Sequence, residues 1–238
     1  MSIFAIGDLH LPGGDKKPMD VFGPHWEHHF ERICADWQSR VKPEDIVLIP
    51  GDISWAMQLG DALNDLREIA KLPGTILLLR GNHDFWWSSL SQLRACLPKN
   101  MHAMQNDAFD AGACVFCGTR GWTIPLGQNA TAQDEKLYRR EVMRLEMSLK
   151  DAARIADGRP IFAMMHYPPL LPETLRQGTE FTRLLSDYGV KRCVYGHLHG
   201  QSVQRGFSGN YRGVRYDLVS CDALGFVLKD VSLETAEG

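Results

Sequence analysis

The sequence predicts a layered α/β fold, and three features carry that reading. Short apolar runs alternate with amphipathic helical stretches, in the order β-α-β-α-β-α, from residue 3 to residue 97. Several of those runs end against a block of Asp, His or Asn, where open α/β sheets build their sites. The length of 238 residues, with 44% hydrophobic and 23% charged content, fits one domain with a substantial core.

The elements follow in order. Ile3-Phe4-Ala5-Ile6 opens as a strand, and a Gly/Pro-rich loop runs from Leu11 to Gly23. Trp26, Phe30, Ile33, Trp37 and Val41 recur three or four residues apart, as one face of a helix that Pro43 ends. Strand 46–50 comes next, then a helix marked by Leu59, Leu63, Leu66 and Ile69. Pro73-Gly74 turns the chain into strand 75–80. Residues 86–97 read as a helix stopped by Pro98. Between Met101 and Gly118, short runs broken by Asn106-Asp107 and Gly112 predict hairpins.

Residues 119–130 read as a loop. Thr131 N-caps a long helix with Asp134 near its positive end, and Val142, Leu145, Leu149, Ala152 and Ala156 form its buried stripe. The segment 119–156 is therefore read as an excursion that caps the domain. Strand 160–165 and helix 179–188 repeat the earlier rhythm, and 192–230 returns to short strands with Gly-rich turns. No repeat or linker interrupts the chain, so residues 1–238 are read as a single domain.

Composition narrows the function. A net charge of −3 and the lack of a basic aromatic groove argue against a nuclease or another binder of nucleic-acid polymers. No apolar stretch reaches the length of a membrane span, and a strand stands where a signal peptide would. The six cysteines lie mainly in apolar surroundings. Cys114 and Cys117 fall three apart in an expected strand, on opposite faces, which disfavours a redox or zinc pair. A reduced, cytoplasmic protein is the simple reading.

The chemistry lies in five blocks: Asp8-Leu9-His10, Gly51-Asp52, Gly81-Asn82-His83-Asp84, His166, and Gly196-His197-Leu198-His199. Residues i and i+2 of an extended strand end project to one side, which pairs Asp8 with His10 and His197 with His199. Asn82 offers an amide oxygen and His166 another imidazole. Such mixed nitrogen and oxygen donors favour two divalent transition-metal ions, Mn, Fe or Zn, over Ca. Singly the blocks are weak signals; together, in order and at strand ends, they predict a shared two-metal site.

The five blocks resemble the pattern D-x-H, G-D, G-N-H-[DE], H, G-H-x-H of the calcineurin-like metallophosphoesterase superfamily, without substitution, from residue 8 to residue 199. The resemblance is to its small stand-alone bacterial phosphohydrolases. It implies a four-layer α-β-β-α sandwich of two mixed sheets with the site at the C-terminal strand ends. Carried over by position, it implies that Asp8, His10 and His199 hold one metal. Asn82, His166 and His197 would hold the other, Asp52 would bridge, and His83 would stay unligated.

Those roles imply a binuclear-metal phosphoesterase acting on a phosphodiester or phosphomonoester of a small or nucleotide-like molecule. A metal-bridged hydroxide would attack in line, and His83 would protonate the leaving group. Asp84 either orients His83 from behind or N-caps the following helix. The stretch Leu79-Arg80-Gly81-Asn82-His83 is also similar to the protein Ser/Thr phosphatases. Gly51-Asp52-Ile53-Ser54-Trp55, however, lacks the arginine those enzymes carry there, which disfavours that branch; the blocks also fit metal-dependent cyclic-nucleotide phosphodiesterases.

Substrate reading falls to residues near the blocks. Trp55, Phe85, Trp86 and Trp87 offer aromatic faces for a nucleobase, or core packing. Arg120 and Trp122 offer a phosphate clamp in the loop before the long helix. Loops 11–23, 119–130 and 200–215 are the expected seat of specificity. His25, His28 and His29 lack a carboxylate or cysteine partner and read as surface or partly buried histidines. The rival to the enzyme is a non-catalytic module that keeps the sandwich for protein binding, but a scaffold has no reason to keep seven ligands and His83.

Overall fold

The computed structural model describes residues 1–13, 19, 23–127 and 130–233. The parts of the expected specificity loops at 14–18, 20–22 and 128–129 lie outside the described residues. Two sheets stack face to face. The first has the order β11-β1-β2-β3-β4, from β1 (Ile3–Ala5), β2 (Ile46–Ile49), β3 (Thr75–Leu79), β4 (Met101–Met104) and β11 (Lys229–Asp230). The second has the order β5-β6-β7-β8-β10-β9, from β5 (Ala108–Asp110), β6 (Val115–Thr119), β7 (Ile161–Met165), β8 (Arg192–Tyr195), β9 (Gly209–Tyr211) and β10 (Val214–Leu218). Central strands are parallel, and β11, β5 and β9 pair antiparallel at the edges, so both sheets are mixed.

Strand alternation divides the apolar residues among three cores, and hence the molecule into four layers. Ile3, Ala5, Leu48, Leu77 and Leu79 face Phe116, Phe162, Met164 and Val194 between the sheets. Phe4, Val47, Ile49, Ile76 and Leu78 face outward onto Ile33 and Trp37 of α1 (His29–Arg40), Leu66 and Ile69 of α2 (Leu59–Ile69) and Leu93 of α3 (Leu90–Cys96). Val115, Ala163, Met165, Cys193 and Tyr195 face Leu145 and Leu149 of α4 (Ala132–Ala156) and Phe181 and Leu185 of α5 (Glu180–Asp187). Runs apolar on both faces are what parallel strands buried on two sides require. Cys114 and Cys117 sit in different cores, on opposite sides of β6 as their spacing predicts.

The long helix begins where its caps dictate. Thr131 Oγ1 accepts the backbone N–H of Asp134 at 3.1 Å, and Asp134 Oδ2 accepts that of Thr131 at 3.2 Å, a reciprocal capping box. Thr131→Ala is expected to destabilise the protein by about 1 kcal/mol, read as a lower urea midpoint at unchanged m-value. An unchanged midpoint would show that the cap adds nothing to the packing of α4 on β5 and β6.

Two expectations need correction. The segment 101–118 is not a run of hairpins: Met101–Met104 is the fourth strand of the first sheet, parallel to β3, and only β5 and β6 form a hairpin. Arg94 holds the crossing between sheets by donating to the Ala103 carbonyl and pairing with Asp107. A short apolar run carries no mark of which sheet it will join. The helix expected at 86–97 starts only at Leu90, capped by Ser89. Trp86 and Trp87 lie in the preceding loop and are buried in the first core, with their indole N–H groups on Asp84 Oδ1 (3.1 Å) and Gln105 Oε1 (2.9 Å).

Candidate metal centre

Asp8 and His10 follow β1, Asp52 follows β2, Asn82 and His83 follow β3, His166 follows β7, and His197 and His199 follow β8. The five blocks thus come from both sheets, at the C-terminal ends of parallel strands. Backbone ties hold them in register: the Asp8 N–H donates to Gly51 O at 2.9 Å, His10 N–H to Asp52 O at 3.0 Å, and Gly196 N–H to His166 O at 3.2 Å.

Two groups of ligand-type atoms result, Asp8 with His10 and His199, and Asp52 with His166 and His197, each with atoms within 4.8 Å of one another. Asn82 Oδ1 joins the second group, 2.6 Å from His166 Nε2 and 2.8 Å from His197 Nδ1. Asp52 also faces the first group, its Oδ2 3.5 Å from His166 Nε2 and 3.9 Å from His10 Nε2.

The lone pairs fit cations. His166 Nδ1 donates to the Pro50 carbonyl at 3.0 Å, which leaves the lone pair of the neutral ring on Nε2, aimed at an amide oxygen. His199 Nδ1 sits 2.9 Å from Asp222 Oδ1, so its Nε2 faces His10 Nε2 at 3.3 Å. Acceptors aimed at one another in a buried space need a proton or a cation between them. With these donors, the residues fit two borderline divalent ions.

The charges agree. Burial pushes the Asp52 carboxyl up to about 7, and the nearby Asp8 charge adds to this. Burial would also raise Asp8, but its hydrogen bond with His199 and the charges of His199, His166 and His10 outweigh it and hold Asp8 well below the usual carboxylate range. Burial drives His10 and His197 down to about 3, so both present neutral imidazoles. His199 moves the other way, up to about 10, because Asp222 and Asp8 overcome its burial.

Building this site strains the chain. Asp8 (φ 59°), His10 (φ 46°), Asp52 (φ 50°) and His197 (φ 74°) all adopt the left-handed conformation, at roughly 1 kcal/mol each. The glycines of the motifs make room for the carboxylates. A Cβ on Gly81 would lie 2.1 Å from Asp52 Oδ1, and one on Gly196 would lie 2.2 Å from Asp8 Oδ2.

Asp84 neither caps a helix nor hydrogen-bonds His83. It is fully buried and accepts the backbone N–H groups of Gly81 (2.7 Å), Ile53 (2.9 Å) and Ser54 (3.2 Å). It therefore ties the second block to the third, as a positioning residue. Asp222 escaped the sequence reading because it stands 23 residues beyond His199, after the last block. The available signal was a carboxylate just past the strand at Val214–Leu218. Asp222→Ala is expected to weaken metal binding about 10–100-fold, measured by calorimetric titration with Mn; unchanged affinity would remove Asp222 from the site.

His83 lines a cavity of about 280 Å³ with Trp55, Trp26, Met19, His10 and His199. Trp55 stacks on His10 at 4.8 Å between ring centroids and lies 4.5 Å from His83. His25 lines the same cavity, while His29 Nε2 is 2.9 Å from the Leu9 carbonyl and steadies the first block. Arg120 and Trp122 do not line this cavity. The Arg120 carbonyl accepts the N–H groups of His166 (3.1 Å) and Tyr167 (2.9 Å), but its guanidinium packs over Trp122 and lines a second cavity that shares no wall residue with the first. Trp122 packs against Tyr167 at 5.4 Å between ring centroids, and the Tyr167 ring in turn lies tilted 4.2 Å from that of His197.

Among the described residues, no helix is long and apolar enough to cross a membrane. Comparison with solved structures shows the same fold in several chains, including TT1561 and AQ665. TT1561 of Thermus thermophilus is 14% identical, with 98% of each chain covered and a TM-score of 0.56. A protein of unknown function from Aquifex aeolicus, AQ665, is 15% identical over 95% of this chain and 94% of its own, with a TM-score of 0.52. No curated protein matches significantly. The calcineurin-like phosphoesterase model matches residues 1–201, a span that contains every motif block. That family comprises metal-dependent phosphoesterases, generally with two divalent ions, that act on phosphate esters. By this match the chain belongs to the calcineurin-like phosphoesterase family.

Proposed function

We propose that this protein hydrolyses a small or nucleotide-like phosphodiester or phosphomonoester, with His83 as the general acid. The observation that supports this reading is two adjoining groups of ligand-type atoms, with Asp52 Oδ2 near a histidine of each and His83, a member of neither, on the wall of an aromatic cavity. Asp8, His10 and His199 would hold one ion and Asn82, His166 and His197 the other, with Asp52 shared. The donor set suits Mn, Fe or Zn. When bound, two such ions supply Lewis-acid activation of water and neutralise charge on the phosphoryl oxygens.

The residues supply the rest. His83 would carry the proton for the departing oxygen; its partial burial lowers its pKa, which makes it a stronger acid and shifts its protonated form to lower pH. Trp26, Trp55 and Met19 give the cavity an apolar lining that suits an aryl group or nucleobase on the ester. Asp84 and Asp222 keep the ligand loops in place without touching substrate.

The test is a screen of the Mn-loaded protein against aryl and alkyl phosphodiesters, phosphomonoesters and cyclic nucleotides, with metal analysis alongside. Hydrolysis is expected to depend on metal and to favour aromatic esters. No turnover of any activated ester with both sites filled would refute the reading.

A further inference from the structure

The cavity that holds Arg120 has a composition that the metal centre does not explain. It encloses about 180 Å³ beside the ends of β3 and β6, and four of its wall residues are arginines: Arg80, Arg120, Arg140 and Arg144. The one carboxylate among them is Glu141, which is fully buried.

Glu141 is already engaged. Its Oε1 accepts from Arg144 Nη1 at 2.6 Å and faces Arg140 Nε at 3.6 Å, while its Oε2 accepts from Thr119 Oγ1 at 2.9 Å. Arg80 and Arg120 are left over. Arg80 Nε is buried and has no hydrogen-bond partner among the described residues. The Arg120 guanidinium rests 5.2 Å from the Trp122 ring centre and forms no side-chain hydrogen bond among those residues. Four arginines against Glu141, with the Asp84 charge near Arg80, still leave a surplus of positive charge around a partly enclosed space. Such crowding is unfavourable unless an anion completes it.

We propose that this cavity binds a phosphate-type dianion. Guanidinium forks match tetrahedral phosphoryl oxygens in pairs, and the two unengaged arginines supply that recognition. The volume holds one or two phosphoryl groups, and the net charge of −3 on the chain argues against a longer polyanion. The site is joined to the metal centre through the chain. Arg80 precedes Asn82 by two residues, and the Arg120 carbonyl anchors the backbone of His166. The dianion comes either from a second phosphate on the substrate or from free phosphate.

Inorganic phosphate and pyrophosphate, titrated at constant ionic strength against a chloride control, test the site. Calorimetry and the fluorescence of Trp122 beneath Arg120 provide the readouts. Saturable binding is expected in the wild type and in Asp52→Asn, and about 10–100-fold weaker binding in Arg80→Gln and in Arg120→Gln, as for the loss of a charged hydrogen bond. Arg140→Gln, at the exposed rim, guards against misfolding and is expected to weaken binding by a smaller factor; melting curves in chloride verify each fold. Binding that vanishes in Asp52→Asn but survives the arginine changes would place the anion at the metal centre and overturn the proposal. So would the absence of saturable binding in the wild type. If KM in Arg120→Gln rises only for bisphosphorylated esters, the anion is the substrate's own. If the variant instead loses a response of activity to added phosphate, the anion is free phosphate.

Discussion

His83→Ala is expected to keep its full metal content while losing about 10²–10⁴-fold in kcat on esters with poor leaving groups. The two properties separate because His83 acts on the site through different atoms. Its backbone N–H donates to Asp52 Oδ1 at 2.8 Å and helps to hold that carboxylate, and the bond survives truncation of the side chain. The imidazole belongs to neither ligand group and lines the cavity between Trp55 and His10, at 4.5 and 5.8 Å between ring centroids. A general acid matters most when the leaving oxygen is basic, so the loss should shrink from alkyl to phenyl to p-nitrophenyl esters. Metal analysis and a leaving-group series decide it. Loss of metal, or an equal deficit on every ester, would sink the acid role.

Asp52→Asn separates stability from activity in the opposite direction. Burial and the Asp8 charge raise the Asp52 carboxyl to about 7 in the metal-free fold, against an ordinary value of 3.8. A folded-state pKa above the unfolded value means that the folded chain holds the proton longer. The metal-free protein therefore loses stability as pH rises from about 4 to about 7, and the loss is complete above that window. Asn removes this term and tolerates the left-handed backbone at φ 50°. Above pH 7 the metal-free variant is expected to be on the order of 1–3 kcal/mol more stable than the wild type. Its metal affinity should fall by more than the ~100-fold upper range for an outer-shell partner, and its activity with it. Denaturant midpoints from pH 4 to pH 8, with and without Mn, read both effects. A metal-free variant no more stable than the wild type at pH 8 would contradict the strained-carboxylate account.

Much of the fold was legible because its signals are local. Continuous apolar runs marked β1, β2, β3 and β7, the period of 3.6 marked α2, and the Thr131–Asp134 box marked the start of α4. The failures share one physical origin. Met101–Met104 looks like a hairpin arm because a short apolar run does not encode its neighbour, and only the Arg94 clamp and the register with β3 settle its sheet. Trp86 and Trp87 look like the first turn of a helix, but Asp84 draws their loop inward by accepting four N–H groups, the Trp86 indole among them.

By itself, the sequence determined the α/β class and the motif blocks from residue 8 to residue 199, since residue type and strand-end position are one-dimensional properties. Tertiary structure alone decided that the blocks from two sheets converge on Asp52, and that Asp222 stands behind His199. It alone set the Arg120 guanidinium in a cavity of arginines, apart from the cavity lined by His83. Side chains far apart in the chain meet only when strand order and sheet packing bring them together, and spacing along the chain does not contain that distance.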